Sequence, residues 1–335
     1  MVKRAWRSIW AKSLKRGMAV MRKASKASRT PRPVKKAVAA RKLKPAVLKK
    51  AVAPGAARPG MTRGLAAARR FHLYRPDGLR PGERVPLLVM LHGCGQDAAG
   101  FAASTRMNAI GARERFIVLY PQQERLANAQ GCWNWFETKS GRAQGELALI
   151  MAAIDKVCTL YPADRDRVAV AGFSAGASMA AMLAARHPDH FKAVVMHSGV
   201  PPGMAHSTLT ALSAMRGRRA AAPLPTTTGS LPPLLVIHGT SDHVVAPSNG
   251  RAAARLWAEA LGARPDAPRL VQRGKRYVMT LNDFKSKGRA MATLAEISGL
   301  GHAWSGGAAS QPFSDARGPD ASRMVWAFAA RQFRR

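Results

Sequence analysis

Gly172-Phe173-Ser174-Ala175-Gly176 follows the apolar run Val168-Ala169-Val170-Ala171 and precedes the helix-forming stretch from Ala177 to Arg186. A strand, a sharp turn and a helix with a serine at the apex make a nucleophile elbow, in which glycines on either side let strand and helix approach closely. A serine hydroxyl needs a base, and the base needs an orienting acid. Asp242, in Gly239-Thr240-Ser241-Asp242 after the apolar run 234–238, is the expected acid; Asp266 and Asp283 are its rivals. His302, in Gly299-Leu300-Gly301-His302, is the expected base. His92, His197 and His238 also sit at strand ends, where a structural histidine is the ordinary reading.

A developing oxyanion needs two N–H donors. One is expected from Ala175, directly after the serine; the other comes from Leu91-His92-Gly93-Cys94-Gly95-Gln96, with Cys94 preferred and Gly93 or Gly95 as alternatives. The aromatic loop Gly131-Cys132-Trp133-Asn134-Trp135-Phe136 suggests a wall for substrate, so Gln96, Trp133, Trp135 and Trp304 are expected to line the groove. The other reading makes one or both loop tryptophans plain core. Cys94 and Cys132 could pair and clamp that loop, or stay free in a reducing cytosol. Cys158 reads as core, and no cysteine spacing suggests zinc.

These residues need a scaffold. From residue 71, strand-like runs alternate with helical patterns: strands near 71–74, 86–91, 116–120, 167–171, 193–197, 234–238, 276–281 and 290–297, and helices near 101–113, 146–159, 175–186, 250–261 and 320–333. Alternation of this kind predicts a mainly parallel sheet with helices on both faces. The order serine, acid, histidine is that of the α/β-hydrolase fold, with the acid and histidine on loops at the carboxyl edge of the sheet. Residues 218–233, rich in Ala, Pro and Thr, read as an inserted loop.

The charge divides the chain in two. Of 54 Lys and Arg, 22 lie in residues 1–70, which contain no acid, so 71–335 form the expected catalytic domain and 1–70 a basic arm. Trp6, Ile9, Trp10, Leu14 and Met18 recur at helical spacing among cations, the pattern of a short amphipathic helix. The composition of residues 31–60 buries too little apolar surface to fold alone. Residues 1–60 are therefore expected either to tether the protein to an anionic surface, a granule or nucleic acid, or to be a solubilising extension. No run approaches the ~20 apolar residues of a membrane span, and no secretory leader is evident, which points to the cytoplasm.

Several stretches carry a resemblance: LHGCGQDAAGFA (91–102), GCWNWF (131–136), AGFSAGASMAAMLAARHPDHF (171–191), HGTSDHVVAPSNG (238–250) and GLGHAWSGG (299–307). Together they resemble the polyhydroxybutyrate (PHB) depolymerase family of esterases over nearly all of residues 70–335. The resemblance implies ester hydrolysis through an acyl-enzyme on Ser174, with His302 as base, Asp242 orienting it, Cys94 and Ala175 binding the oxyanion, and no cofactor or metal. Its relatives include acetyl xylan and feruloyl esterases, so mechanism does not fix substrate. Secreted depolymerases of crystalline polymer usually carry a polymer-binding domain after the catalytic one, and this sequence ends after its last expected helix. Oligomers, amorphous granules or other short-chain esters are therefore the expected substrates, with secretion as the alternative location.

Overall fold

The computed structural model describes residues 61–66, 69–220, 223–224 and 230–334. The arm up to residue 60, with its expected amphipathic helix, lies outside the described residues, as do 221–222 and 225–229 of the expected loop.

The strands are β1 (Met61–Ala66), β2 (Arg69–Tyr74), β3 (Val85–Leu91), β4 (Ile117–Pro121), β5 (Ala163–Phe173), β6 (Ala193–His197), β7 (Leu234–Gly239), β8 (Arg264–Pro265), β9 (Arg269–Val271), β10 (Met279–Ser286), β11 (Arg289–Ile297), β12 (Trp304–Ser305) and β13 (Ser314–Asp315). The helices are α1 (Ala98–Thr105), α2 (Met107–Glu114), α3 (Arg142–Leu160), α4 (Ala175–Arg186), α5 (Thr208–Met215), α6 (Ser248–Ala260) and α7 (Ala321–Phe333). The main sheet runs β1-β2-β4-β3-β5-β6-β7-β11-β10-β8, and β9 also pairs with β10. From β4 to β11 neighbours are parallel, while antiparallel pairs close both margins.

The central strands are buried on both faces, which is why β4, β6 and β7 read as unbroken apolar runs rather than alternating ones. Period-two geometry still divides their side chains. Leu87, Val89, Val170, Val194 and Val236 face α3, α4 and α6, while Leu88, Met90, Ala171, Val195 and Ile237 face α1, α2 and α7. Two cores therefore sandwich the sheet, the α/β-hydrolase arrangement.

The departures from expectation have local causes. The helix expected over 101–113 breaks at Arg106, in the left-handed region at φ 54°, which ends α1 and starts α2. The expected strand 276–281 shifts to β10, whose hairpin with β11 turns through Lys287 and Gly288, both at positive φ. Helix α5 escapes the apolar pattern because its start is set by a capping box, with Ser207 accepting from Thr210 N. Strand β1 lies inside the stretch that charge assigns to the arm, yet it pairs with β2 along its whole length. Composition marks where acids stop, and backbone pairing is indifferent to that. Among the described residues, no helix is long and apolar enough to cross a membrane.

Candidate active site

Ser174 sits between β5 and α4 at φ 55° and ψ −120°. Its N–H donates to His197 O at 2.9 Å, which pins the turn to the end of β6. Both flanking glycines are sterically required. A Cβ on Gly172 would collide with the Gly176 backbone and lie 2.6 Å from Ala177 N. A Cβ on Gly176 would overlap Leu91 O and lie 2.5 Å from His92 O. The same contact brings the start of α4 against the end of β3, where the Gly93-Cys94-Gly95 turn begins.

His302 reaches Ser174 across 128 residues of sequence. Its Nε2 lies 2.9 Å from Ser174 Oγ, and its Nδ1 lies 2.7 Å from Asp242 Oδ2. The other expected acids are elsewhere: Asp283 pairs with Arg269, and Asp266 with Lys285. Asp242 is buried, and its Oδ1 accepts from the N–H groups of Val244 and Val245, each at 2.9 Å. Burial pushes its carboxyl up, but the nearby His302 and hydrogen bonds from His238 and His302 outweigh that, holding it well below the usual carboxylate range. It is therefore an anion able to orient an imidazole and stabilise an imidazolium.

The N–H groups of the Gly93 turn sort themselves. Gly93 N donates to Gln96 Oε1, Gly95 N to Gln130 O and Gln96 N to Gly93 O. Among the described residues no acceptor is assigned to the N–H of Cys94 or of Ala175. Those two donors are the ones left for an oxyanion. Cys94 is disulfide-bonded to Cys132, which ties the turn to the aromatic loop.

The expected substrate wall is not where sequence placed it. Trp133 is fully buried, its indole N–H donating to His92 O and the Arg69 guanidinium stacked 5.0 Å from its ring. Trp304 is fully buried too, bonded to Ser322 Oγ and packed edge-on against Phe101. Trp135 is buried in the core on the α3 side, and Gln96 is occupied in bracing Gly93. Trp133 and Trp304, with no exposed surface, therefore brace the loops from within, and Trp135 and Gln96 are almost as deeply buried.

Sequence reasoning missed the clamp that holds the aromatic loop. Glu146 of α3 accepts from Asn134 N at 2.9 Å and from the side chains of Asn134 and Gln123, and Gln123 in turn accepts from buried Arg69. The only signal was an acid on the inward face of a helix. His238 was noted as a strand-end histidine: its Nε2 donates to Val245 O at 3.0 Å and lies 3.5 Å from Asp242 Oδ2, so it braces the turn that carries the acid.

His92 and His197 are the structural histidines of the site. Each offers one ring nitrogen as acceptor, to Gln123 N and Ser305 N respectively, both at 3.1 Å. The other nitrogen of each donates, to Gly93 O and Ser198 Oγ. A neutral ring satisfies all four bonds. Burial pushes His92 down to about 4 against a weaker opposing bond to Gly93, and His197 down to about 3, helped by the charges of His238 and His302.

Set against these geometries, the family described as Esterase PHB depolymerase matches residues 69–261 of the chain, a span that holds Ser174 and Asp242 but not His302. The poly(3-hydroxyalkanoate) depolymerase C of Paucimonas lemoignei is 37% identical over 175 residues, covering 49% of this chain and 42% of that protein. The chain thus spans less than half the length of this relative. Feruloyl esterase B of Neurospora crassa is 29% identical over 210 residues, covering 58% of this chain and 70% of that protein. Among solved structures, the acetyl xylan esterase from Aspergillus awamori superposes with a TM-score of 0.59 at 21% identity, covering 72% of this chain and 93% of that one, which speaks to the fold.

The two buried histidines set an acid limit on stability. In the unfolded chain each takes its proton near pH 6.5, whereas the native rings resist it until about pH 4 and 3. The unfolded state then binds more protons, so stability is lost as pH falls below about 6.5, by up to about 1.4 kcal/mol per pH unit for each histidine. Urea unfolding at pH 7 and pH 5 should show the midpoint falling; an unchanged midpoint would contradict neutral, buried rings.

Proposed function

Because the chain belongs to the PHB depolymerase family of esterases, we propose that it is a serine carboxylic-ester hydrolase acting on hydroxyalkanoate oligoesters or similar short-chain esters. The observation that carries this reading is the continuous chain of bonds from Ser174 Oγ through His302 to Asp242. Ser174 Oγ attacks the ester carbonyl while His302 Nε2 takes its proton, and Asp242 holds the Nδ1–H and offsets the imidazolium charge. The N–H groups of Cys94 and Ala175 bind the carbonyl oxygen as it becomes an anion. His302 returns the proton to the departing alkoxide, which leaves as the alcohol. Water, deprotonated by the same nitrogen, then attacks the acyl-Ser174 ester, and His302 returns that proton to Ser174 Oγ as the acid leaves. Every proton moves on the chain's own groups.

The relatives named as feruloyl and acetylxylan esterases support a second reading on the same chemistry, ester removal from plant polysaccharide. A panel of nitrophenyl esters, 3-hydroxybutyrate oligomers, acetylated xylan and feruloyl esters separates the two. Ser174→Ala should lower kcat on whichever ester is cleaved by about 10⁴-fold or more. Equal rates for the two proteins would sink the assignment.

Two further readings concern where the enzyme works. The Cys94–Cys132 bond fits an oxidising compartment, which favours the extracellular alternative over the cytoplasm. Residues 1–60, with 19 Lys and Arg and no acid, fit a tether to a polyanionic surface. Both are checked on the full chain. Unreduced and unfolded, it should expose one reactive thiol, that of Cys158. Folded, it should bind anionic vesicles in a salt-sensitive way that deletion of residues 2–53 abolishes. Three thiols, or binding unchanged by the deletion, would refute the corresponding reading.

A further inference from the structure

Residues 71–335 hold 32 Lys and Arg against 18 Asp and Glu. Ion pairs such as Arg115 with Glu83, Arg167 with Asp164, Arg251 with Glu296 and Arg269 with Asp283 occupy some of the acids and leave the cation excess unbalanced. One group of these cations lies on loops joined to the loop that carries His302.

The topology places it there. Strand β10 runs antiparallel to β11 with Met279 opposite Ile297, so the loop before β10 emerges at the carboxyl edge of the sheet, where β11 ends and the His302 loop begins. Ser298 N donates to Val278 O at 2.9 Å, joining the two loops four residues before His302. Residues 315–318 complete the rim: Tyr277 N donates to Arg317 O at 3.0 Å, and Tyr277 OH lies 3.1 Å from Asp315 Oδ2.

This rim is built and cationic. Gly274 turns it at φ 57°, and Gln272 Nε2 donates to Arg276 O at 3.0 Å. Arg276 donates to the carbonyls of Ala316 and Gly318, which fixes its guanidinium without neutralising it. Arg273 and Lys275 are exposed and have no acid in ion-pair contact among the described residues. Arg317 lies over the Tyr277 ring and pairs with Asp315, the one acid of the rim. Four cations against one acid leave three net positive charges on loops joined to that of His302.

We propose that Arg273, Lys275, Arg276 and Arg317 form a carboxylate-selecting rim, so that the preferred substrates are esters carrying a free carboxylate, such as the acid-terminated end of a hydroxy-acid oligoester. The proposal rests on the hydrolase reading above. Its chemistry is self-consistent with that reading, since each cleavage of a polyester leaves a new carboxylate end. Such an end held at the rim would place the neighbouring ester bond towards Ser174. Fixed cations that face a substrate anion act on encounter and orientation, and their effect fades with salt.

The test compares kcat/KM for the 3-hydroxybutyrate trimer as the free acid and as its methyl ester, in low salt and in 0.5 M NaCl, both ratios taken on one preparation so that any inactive protein cancels. About a tenfold preference for the free acid is expected at low salt, shrinking at high salt. In Arg273→Glu/Lys275→Glu the ratio should fall to one or below. Equal rates for acid and methyl ester in the wild type, or a preference that survives the double substitution, overturns the rim while leaving the hydrolase reading intact. Failure of the wild type to cleave any ester overturns the hydrolase reading itself.

Discussion

Between Gly172 on β5 and Gly176 on α4 there is no room for a single methyl group, and that contact is what the rest of the site depends on. It forces the chain to turn within three residues and leaves Ser174 at φ 55°, a conformation that disfavours any side chain by roughly 1–3 kcal/mol. The turn is affordable because it is held on all sides: Ser174 N by His197 O, the start of α4 against Leu91 and His92, and both elements by the central parallel strands. In return the hydroxyl meets His302 Nε2, and the N–H of Ala175 stands at the start of α4 with no assigned acceptor among the described residues.

The remaining parts are brought to that hydroxyl by loops that have no regular structure of their own, so each is braced by a buried polar group. Glu146 and Gln123 secure the loop bonded to Cys94. His92 joins the Gly93 turn to the end of β4, and His197 joins β6 to Ser305, just beyond His302. His238 braces the turn of Asp242 through Val245 O. The His92 and His197 braces work only when their rings are neutral, because each ring accepts a backbone N–H, and this links the precision of the site to pH. The bracing also explains why Trp133 faces inward, since its indole N–H donates to His92 O.

How much of this could be read from sequence depends on whether the signal is local. The elbow, the Asp242 turn and the glycine-rich His302 loop are legible because each places a reactive residue at a strand end, flanked by residues that a tight turn requires. The parallel core is legible from unbroken apolar runs such as 234–238. What could not be read is long-range pairing. Strand β1 is recognisable only through its partner β2, and the break at Arg106 is a backbone event with no periodicity to announce it. The role given to Trp133 and Trp304 failed for a similar reason: an aromatic residue near a reactive one in sequence says nothing about which way its ring points. The cationic rim was likewise invisible, because its members come from residues 273–276 and 317, which only the fold brings together.

The central claim is that Ser174 is the one residue activated by this architecture, and covalent trapping tests it most directly. Treating the folded enzyme with a fluorophosphonate and mapping the product by mass spectrometry should give one adduct per chain, on Ser174, with esterase activity lost in proportion to labelling. A protein that stays fully active with Ser174 modified, or that is inactivated by an adduct on another residue, would contradict the account.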